Sequence, residues 1–355
     1  MKPLHIGSLA IPLPVVQGGM GVGVSLSGLA SAVANEGGIG VISSAGLGLL
    51  YRKMGGDFIE ANIAGLKEEL RKAREKSVGV IGVNIMVAMS NFSDLVKTSI
   101  AEKADIIFSG AGLPLKMPGF LTKESVTKLV PIVSSARAFR IICDKWKTDY
   151  DYLPDAVVVE GPKAGGHLGF KLDQIDDENY SLQRLVPQVV AVAREYEEKY
   201  NVKIPVIAAG GVYTGADIRE MLGLGASAVQ MGTRFVTTTE CDASDAFKQT
   251  YIDAKAEDLE IINSPVGMPG RAIHNKFLEK VKLGYKQPIR CPFKCIHTCD
   301  VSSSPYCIIT ALISAFKGNF LNGYAFAGTN AYLAEKIISV KETFNDIKKE
   351  YFESS

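Results

Sequence analysis

The sequence lacks the features that mark membrane, nucleic-acid-binding and secreted proteins. Lysine and arginine (39) almost balance aspartate and glutamate (38), which leaves a formal net charge of +1. This balance gives no electrostatic reason to expect nucleic acid or an anionic membrane as a partner. The longest apolar stretches have the length of strands, well short of the ~20 residues that a membrane-spanning helix needs. The first residues show no signal-peptide pattern, so we expect a cytoplasmic protein.

Internal repeats, low-complexity segments and period-2 alternation of apolar and polar residues are also missing. Apolar residues make up 47% and charged residues 22% of the 355 positions, so the chain can bury a large core and is not expected to be disordered. This length suits one (β/α)₈ barrel with an insertion.

Eight short apolar runs, rich in β-branched residues, are predicted to be strands. They lie at about 13–17, 38–43, 78–84, 105–109, 130–134, 155–160, 205–209 and 226–231. Because the runs are continuous, both faces of each strand should be buried, as in a parallel sheet covered by helices.

Helix-like stretches separate these runs, for example at 27–36, 58–75, 182–200 and 215–222. Alternation of strand and helix requires crossover connections, and therefore a parallel sheet. Eight such units favour a closed (β/α)₈ TIM barrel, with an open doubly wound sheet as the structural alternative.

The regular alternation ends after Phe235. We predict that residues 237–318 form a small cap inserted after the eighth strand, and that 1–236 and 319–355 form the barrel. A closing helix is expected at about 329–351.

Glycines follow most of the predicted strands, at the end where barrel enzymes place their active sites. The last two loops contain Gly210-Gly211 and Gly232-Thr233, and loops after strands seven and eight commonly hold phosphate. Their N–H groups, the Thr233 hydroxyl and the N-terminus of the helix at 215–222 suit a phosphate dianion. Any one of these glycines alone would be explained equally well by a tight turn.

His167 is the strongest candidate for a catalytic residue. It is one of only four histidines and lies in a glycine-rich loop after the sixth predicted strand, where an imidazole can exchange a proton near neutral pH. Asn84, at the end of the third predicted strand, offers both a donor and an acceptor to the edge of a cofactor ring. A turn-capping role for Asn84 remains an alternative.

Five elements together resemble the nitronate monooxygenase (2-nitropropane dioxygenase-like) family, which includes FMN-dependent enoyl-acyl-carrier-protein reductases. They are Pro14-Val-Val-Gln-Gly-Gly-Met-Gly21, Gly82-Val-Asn84, Glu160-Gly-x-x-Ala-Gly-Gly-His167, Ala209-Gly-Gly-Val212 and Gln230-Met-Gly-Thr-Arg-Phe235. The resemblance implies an FMN-containing barrel with a small cap, in which His167 is the active-site histidine. The FMN contacts that it implies are Gly19, Met20, Asn84, Glu160, Gly165, Gly210, Gly211, Gln230, Met231, Gly232 and Thr233.

Two features depart from that family's usual pattern. Lys163 stands where the family often has an acidic residue, and Cys291, Cys295, Cys299 and Cys307 form a C-x₃-C-x₃-C-x₇-C cluster. Four thiolates can bind zinc or an iron–sulfur cluster. Reduced, partly buried thiols or disulfides are the alternatives.

These observations leave three functions open. The first is FMN-dependent oxidation of an alkyl nitronate. The second is an enoyl-reductase-type reaction with NAD(P)H as co-substrate, and the third is a flavin or iron–sulfur redox protein without turnover. We expect a small-molecule substrate as partner, with a homodimer as one open assembly state.

Overall fold

The computed structural model describes residues 1–286, 291 and 293–353. Its centre is a closed barrel of parallel strands. The strands are β1 (Val15–Gln17), β2 (Ile39–Ser43), β3 (Val80–Met86), β4 (Ile106–Gly110), β5 (Lys128–Val133), β6 (Val157–Glu160), β7 (Val206–Ala209) and β8 (Ala228–Met231). Around the barrel they follow the order β7-β8-β1-β2-β3-β4-β5-β6. The closed (β/α)₈ barrel is therefore confirmed and the open sheet is wrong.

The described part of the chain contains twelve α-helices. They are α1 (Ser27–Asn35), α2 (Leu47–Leu50), α3 (Phe58–Lys76), α4 (Phe92–Ala101), α5 (Ala136–Tyr150), α6 (Leu182–Tyr200), α7 (Gly215–Gly223), α8 (Thr233–Val236), α9 (Asp245–Asp253), α10 (Lys276–Lys282), α11 (Ile308–Phe316) and α12 (Val340–Glu353). No helix among the described residues has both the length and the apolar character to cross a membrane.

Both faces of the barrel strands are buried, as the continuous apolar runs predict. In β6, Val158 belongs to the cluster inside the barrel, whereas Val157 and Val159 pack outwards with the residues beneath the helices. A hairpin of Leu4–Ile6 and Leu9–Ile11 precedes β1 and adds its apolar side chains to the inner cluster. The sequence patterns did not predict this hairpin, because its strands have three residues each.

A small antiparallel sheet beyond the barrel forms the centre of the cap. Its strands are Leu259–Asn263, Pro269–Ile273 and Gly166–His167, and the last of these comes from the loop after β6. The cap sheet therefore includes the loop that carries His167.

The chain after residue 318 does not return at once to the barrel. The Ala325 carbonyl accepts a hydrogen bond from the Ile273 N–H (2.9 Å), and Phe326 forms a bridge with Ala272 in the cap sheet. The closing helix α12 begins at Val340 and packs against α7. The exact division into barrel and cap stays a prediction, but this segment contacts the cap before α12 reaches the barrel.

Candidate functional site

A cavity of about 300 Å³ opens at the carboxyl ends of the barrel strands, beneath the cap. This volume is at the lower end of the range for small-molecule sites. Of the residues proposed from the sequence, those lining the cavity are Gly19, Met20, Asn84, Glu160, Gly165, His167, Gly210, Gly211, Gln230, Gly232 and Thr233.

Met231 is the one proposed cofactor contact that does not line this cavity. Its side chain is 1% exposed and packs in the apolar layer outside the barrel. Gln230 precedes it and lines the cavity, because successive side chains of a strand point to opposite faces. The Met231 carbonyl accepts a hydrogen bond from the Gly18 N–H (3.0 Å). Through this bond the Met231 backbone holds the loop after β1 in place.

Gly19 and Asn84 meet at the cavity wall. A Cβ atom on Gly19 would lie 2.3 Å from the Asn84 Cβ, which is too close for any side chain. Asn84 lies within β3, two residues before its last residue Met86. The close approach of β3 and the loop after β1 therefore requires glycine at position 19.

The loops after β7 and β8 present unpaired backbone donors. Within the described residues, the N–H groups of Gly211, Val212, Gly232 and Thr233 donate to no protein acceptor. Gly211 has a φ of 97°, in the left-handed region that favours glycine. The Asn330 amide donates to the Gly211 carbonyl (2.7 Å) and holds the loop from the cap side.

The N-terminus of α7 is not available as the helical part of a phosphate site. The Asp217 carboxylate accepts the N–H groups of Tyr213 (2.9 Å) and Thr214 (2.7 Å), and Glu350 accepts that of Gly215 (2.7 Å). This part of the predicted phosphate site is wrong, because α7 is capped by the protein's own carboxylates. The unpaired N–H groups in the loops after β7 and β8 are still available to a phosphate.

Glu160 carries an unpartnered carboxyl group into the cavity. It is the last residue of β6, and its side chain has no hydrogen bond or ion pair in the described part of the chain. Burial raises its pKa from 4.5 to about 7, because a charged carboxylate is poorly solvated there. Near neutral pH the group can therefore either donate or accept a hydrogen bond.

His167 is held in the cavity by the cap. Its strand pairs with Gly270, its Nε2 lies 2.7 Å from the Ser264 Oγ, and the Phe326 ring contacts it edge-on at 5.0 Å between centroids. Burial lowers its pKa to about 4, so the ring is uncharged at neutral pH. Nδ1 has no partner among the described residues, which leaves it available to a bound molecule.

Arg271 fixes the shape of the loop that carries His167. Its buried guanidinium donates to the carbonyls of Pro162 (2.6 Å) and Ala164 (2.9 Å). Sequence reasoning did not find Arg271, Ser264, Phe326 or Asn330. The only signal was the turn-forming segment Gly267-Met268-Pro269-Gly270, which gave no indication that its neighbours contact the barrel.

The four clustered cysteines line a second cavity of about 460 Å³, together with His297 and Lys294. All four are free thiols. Burial, and after it negative charge on the other three thiols, raises the pKa of Cys295 to about 12. In the described residues, no three histidine, cysteine or acidic side chains meet closely enough to bind a single metal ion.

The chain matches a family model described as nitronate monooxygenase over residues 2–350. A (3aS,4S,5R,7aS)-5-hydroxy-7a-methyl-1-oxo-octahydro-1H-indene-4-carboxyl-CoA dehydrogenase from Mycobacterium tuberculosis is 31% identical over 277 residues, which cover 78% of this chain and 67% of that protein. A probable nitronate monooxygenase from Staphylococcus aureus is 26% identical over 309 residues, covering 77% of this chain and 78% of the other.

Two solved structures are similar over almost the whole chain. FabK from Thermotoga maritima shares 30% identity and a TM-score of 0.75, with 97% of this chain and 94% of that chain covered. Nitroalkane oxidase from Streptomyces ansochromogenes shares 21% identity and a TM-score of 0.74, with 97% of each chain covered. The second likeness supports the fold alone.

Proposed function

The chain belongs to the nitronate monooxygenase family, and on that premise we propose that this oxidoreductase binds FMN and oxidises alkyl nitronates. The observation that carries the proposal is the uncharged His167, whose Nδ1 is free in a cavity ringed by unpaired backbone donors. A non-catalytic redox protein is disfavoured by membership in a family of enzymes.

The cavity residues fit FMN. The N–H groups of Gly211, Val212, Gly232 and Thr233 are suited to its phosphate, because they are unpaired donors on adjacent loops. The unpartnered Glu160 carboxyl and the Asn84 amide are suited to the polar edge of its ring.

The apolar part of the ring has a place against Gly19 and Met20, which line the same cavity. When bound, FMN supplies the two-electron redox chemistry that no side chain can provide.

His167 can serve the substrate in either of two tautomers. When the Ser264 hydroxyl donates to Nε2, the proton on Nδ1 can hydrogen-bond an anionic nitronate oxygen. When Nε2–H donates to Ser264, the bare Nδ1 can accept a proton from a carbon acid. Lys163 also lines the cavity and supplies a positive charge for an anionic substrate.

His167→Ala tests this role. We expect the variant to keep FMN and to lose turnover of an alkyl nitronate by ~10²-fold or more. The substitution removes the imidazole that donates a hydrogen bond to the substrate or accepts its proton. The matched control is His5→Ala, which changes an exposed histidine on the N-terminal hairpin. Unchanged nitronate turnover in His167→Ala, with FMN content equal to that of the control, would refute the role.

An acyl-thioester reaction with NAD(P)H is the second candidate. It is favoured by the 30% identity to FabK and the 31% identity to a dehydrogenase of a carboxyl-CoA compound. Mixing the protein with NADH or NADPH without air distinguishes the two. Rapid bleaching of the flavin would favour the reductase. Flavin that neither nucleotide reduces, but that reacts with a nitronate, would favour the first proposal.

A further inference from the structure

The second cavity brings together four thiols that are spread over 17 positions, from Cys291 to Cys307. Apart from Ser90, its lining consists of described residues between 291 and 308. Cys295 is 9% exposed, and Cys291, Cys299 and Cys307 are partly exposed. Cys295 is therefore shielded from solvent, whereas the other three thiols are accessible to it.

The cysteine segment is anchored to the barrel. The Cys295 carbonyl accepts the Ser90 N–H (3.1 Å), and the His297 N–H donates to the Ala88 carbonyl (2.9 Å). Met89 and Ile296 form an antiparallel bridge between these two contacts. Because the anchoring loop follows β3, the thiols are tied to the strand that carries Asn84.

The two cavities share a wall. Cys295, Ile296 and Ile308 line both of them, so the cavity of the thiols adjoins the cavity proposed for the flavin. Cys307 is the N-cap residue of α11, whose first turn includes this Ile308. One thiol of the cluster therefore lies next to the wall that the two cavities share.

The geometry distinguishes between the groups that four cysteines can hold. A tetrahedral zinc ion with Zn–S bonds of about 2.3 Å requires its sulfurs to lie about 3.8 Å apart. The described residues contain no such convergence, and the thiols surround a hollow instead. An iron–sulfur cluster places its cysteines on different iron atoms and needs a hollow of this kind.

We propose that Cys291, Cys295, Cys299 and Cys307 bind a [4Fe–4S] cluster in the second cavity, beside the proposed flavin site. Each thiol loses its proton on binding, and the resulting thiolate bonds one iron atom. The site is built from residues that the flavin proposal does not use, apart from the shared wall. The two proposals can therefore fail independently.

The test is the iron and acid-labile sulfide content of the full-length protein, purified without air and incubated with ferric iron, sulfide and a thiol that reduces part of the iron. We expect about four iron and four sulfide atoms per chain, with a broad brown absorbance that dithionite bleaches. Flavin is quantified separately after its release by denaturation. Loss of flavin with retained iron would then count against the flavin proposal alone.

Cys299→Ala and Cys307→Ala should each lower the bound iron by at least about half, because each removes one of the four thiolates. The matched control is Cys241→Ser, which changes a buried cysteine outside the cluster and retains a donor for the Val24 carbonyl. Full iron content in this control is expected. Wild-type protein with no more iron than the Ala variants, or with stoichiometric zinc instead of iron, would overturn the proposal.

Discussion

The unpartnered carboxyl of Glu160 makes the flavin-free protein sensitive to pH in a way that Glu160→Gln should remove. Burial raises the pKa of this group from 4.5 to about 7. Since the folded state favours the neutral carboxyl, this group does not lower the free energy of unfolding below pH 4.5, where it is neutral in both states. The loss of stability grows as the pH rises towards 7, and above pH 7 it reaches its full size.

The magnitude follows from that difference. A pKa difference of about 2.5 corresponds to about 3.4 kcal/mol at 1.36 kcal/mol per pH unit. About three quarters of this loss of stability, ~2.5 kcal/mol, develops between pH 5 and pH 8, because the unfolded carboxyl is already partly ionised at pH 5. For 355 residues, an unfolding entropy of about 2.1 cal/mol/K per residue converts 2.5 kcal/mol into a Tm change of about 3 °C.

The measurement is the thermal midpoint of wild-type and Glu160→Gln protein at pH 5 and pH 8. The difference between the two proteins should move by about 3 °C in favour of the variant at pH 8. The cost of burying an amide is the same at both pH values and cancels. Glu102→Gln, at an exposed carboxyl, should show no such change. A Glu160→Gln difference that is equal at both pH values would refute the reasoning.

Further predictions concern the cavity wall and the proton. Gly19→Val should lower the FMN content, because its side chain would collide with Asn84, whereas Gly223→Ala, with open space around it, should not. Gly211→Asp should release flavin by placing a negative charge among the proposed phosphate donors, and full retention by fluorescence titration would contradict it. Because the pKa of His167 is about 4, nitronate turnover should persist as the pH falls to about 5. Loss of activity with a midpoint near 6.5 would contradict the uncharged, buried imidazole.

The barrel was predictable because its strands carry a strong local signal. A strand buried on both faces must be apolar at successive positions, as in Val157-Val158-Val159, and eight such runs separated by helices leave few alternatives. The rim was predictable for a related reason, since glycines after several strands converge at one end of the barrel. The reason for glycine at position 19 was not predictable in this way, because Asn84, whose Cβ leaves no room for a side chain there, lies far from it along the chain.

The parts that sequence reasoning missed depend on contacts between distant segments. Ser264 reaches His167 across 97 positions, and Arg271 reaches Pro162 across 109. No local pattern records such pairs. One error was avoidable. Thr214 and Asp217 have the spacing of a capping box, which occupies the N-terminus of α7.

The eighth strand shows how alternation refines such a list. Alternation along β8 places Gln230 and Met231 on opposite faces. A cofactor contact of Met231 would therefore use its backbone, and it stays a prediction.

The central claim is that the cavity beneath the cap binds FMN, and the most direct measurement is titration of flavin-free protein with FMN, followed by fluorescence quenching. The account predicts saturation at about one FMN per chain, with binding weakened in Gly211→Asp and unaffected in His167→Ala. A wild-type protein that is colourless when purified and does not bind added FMN would contradict it.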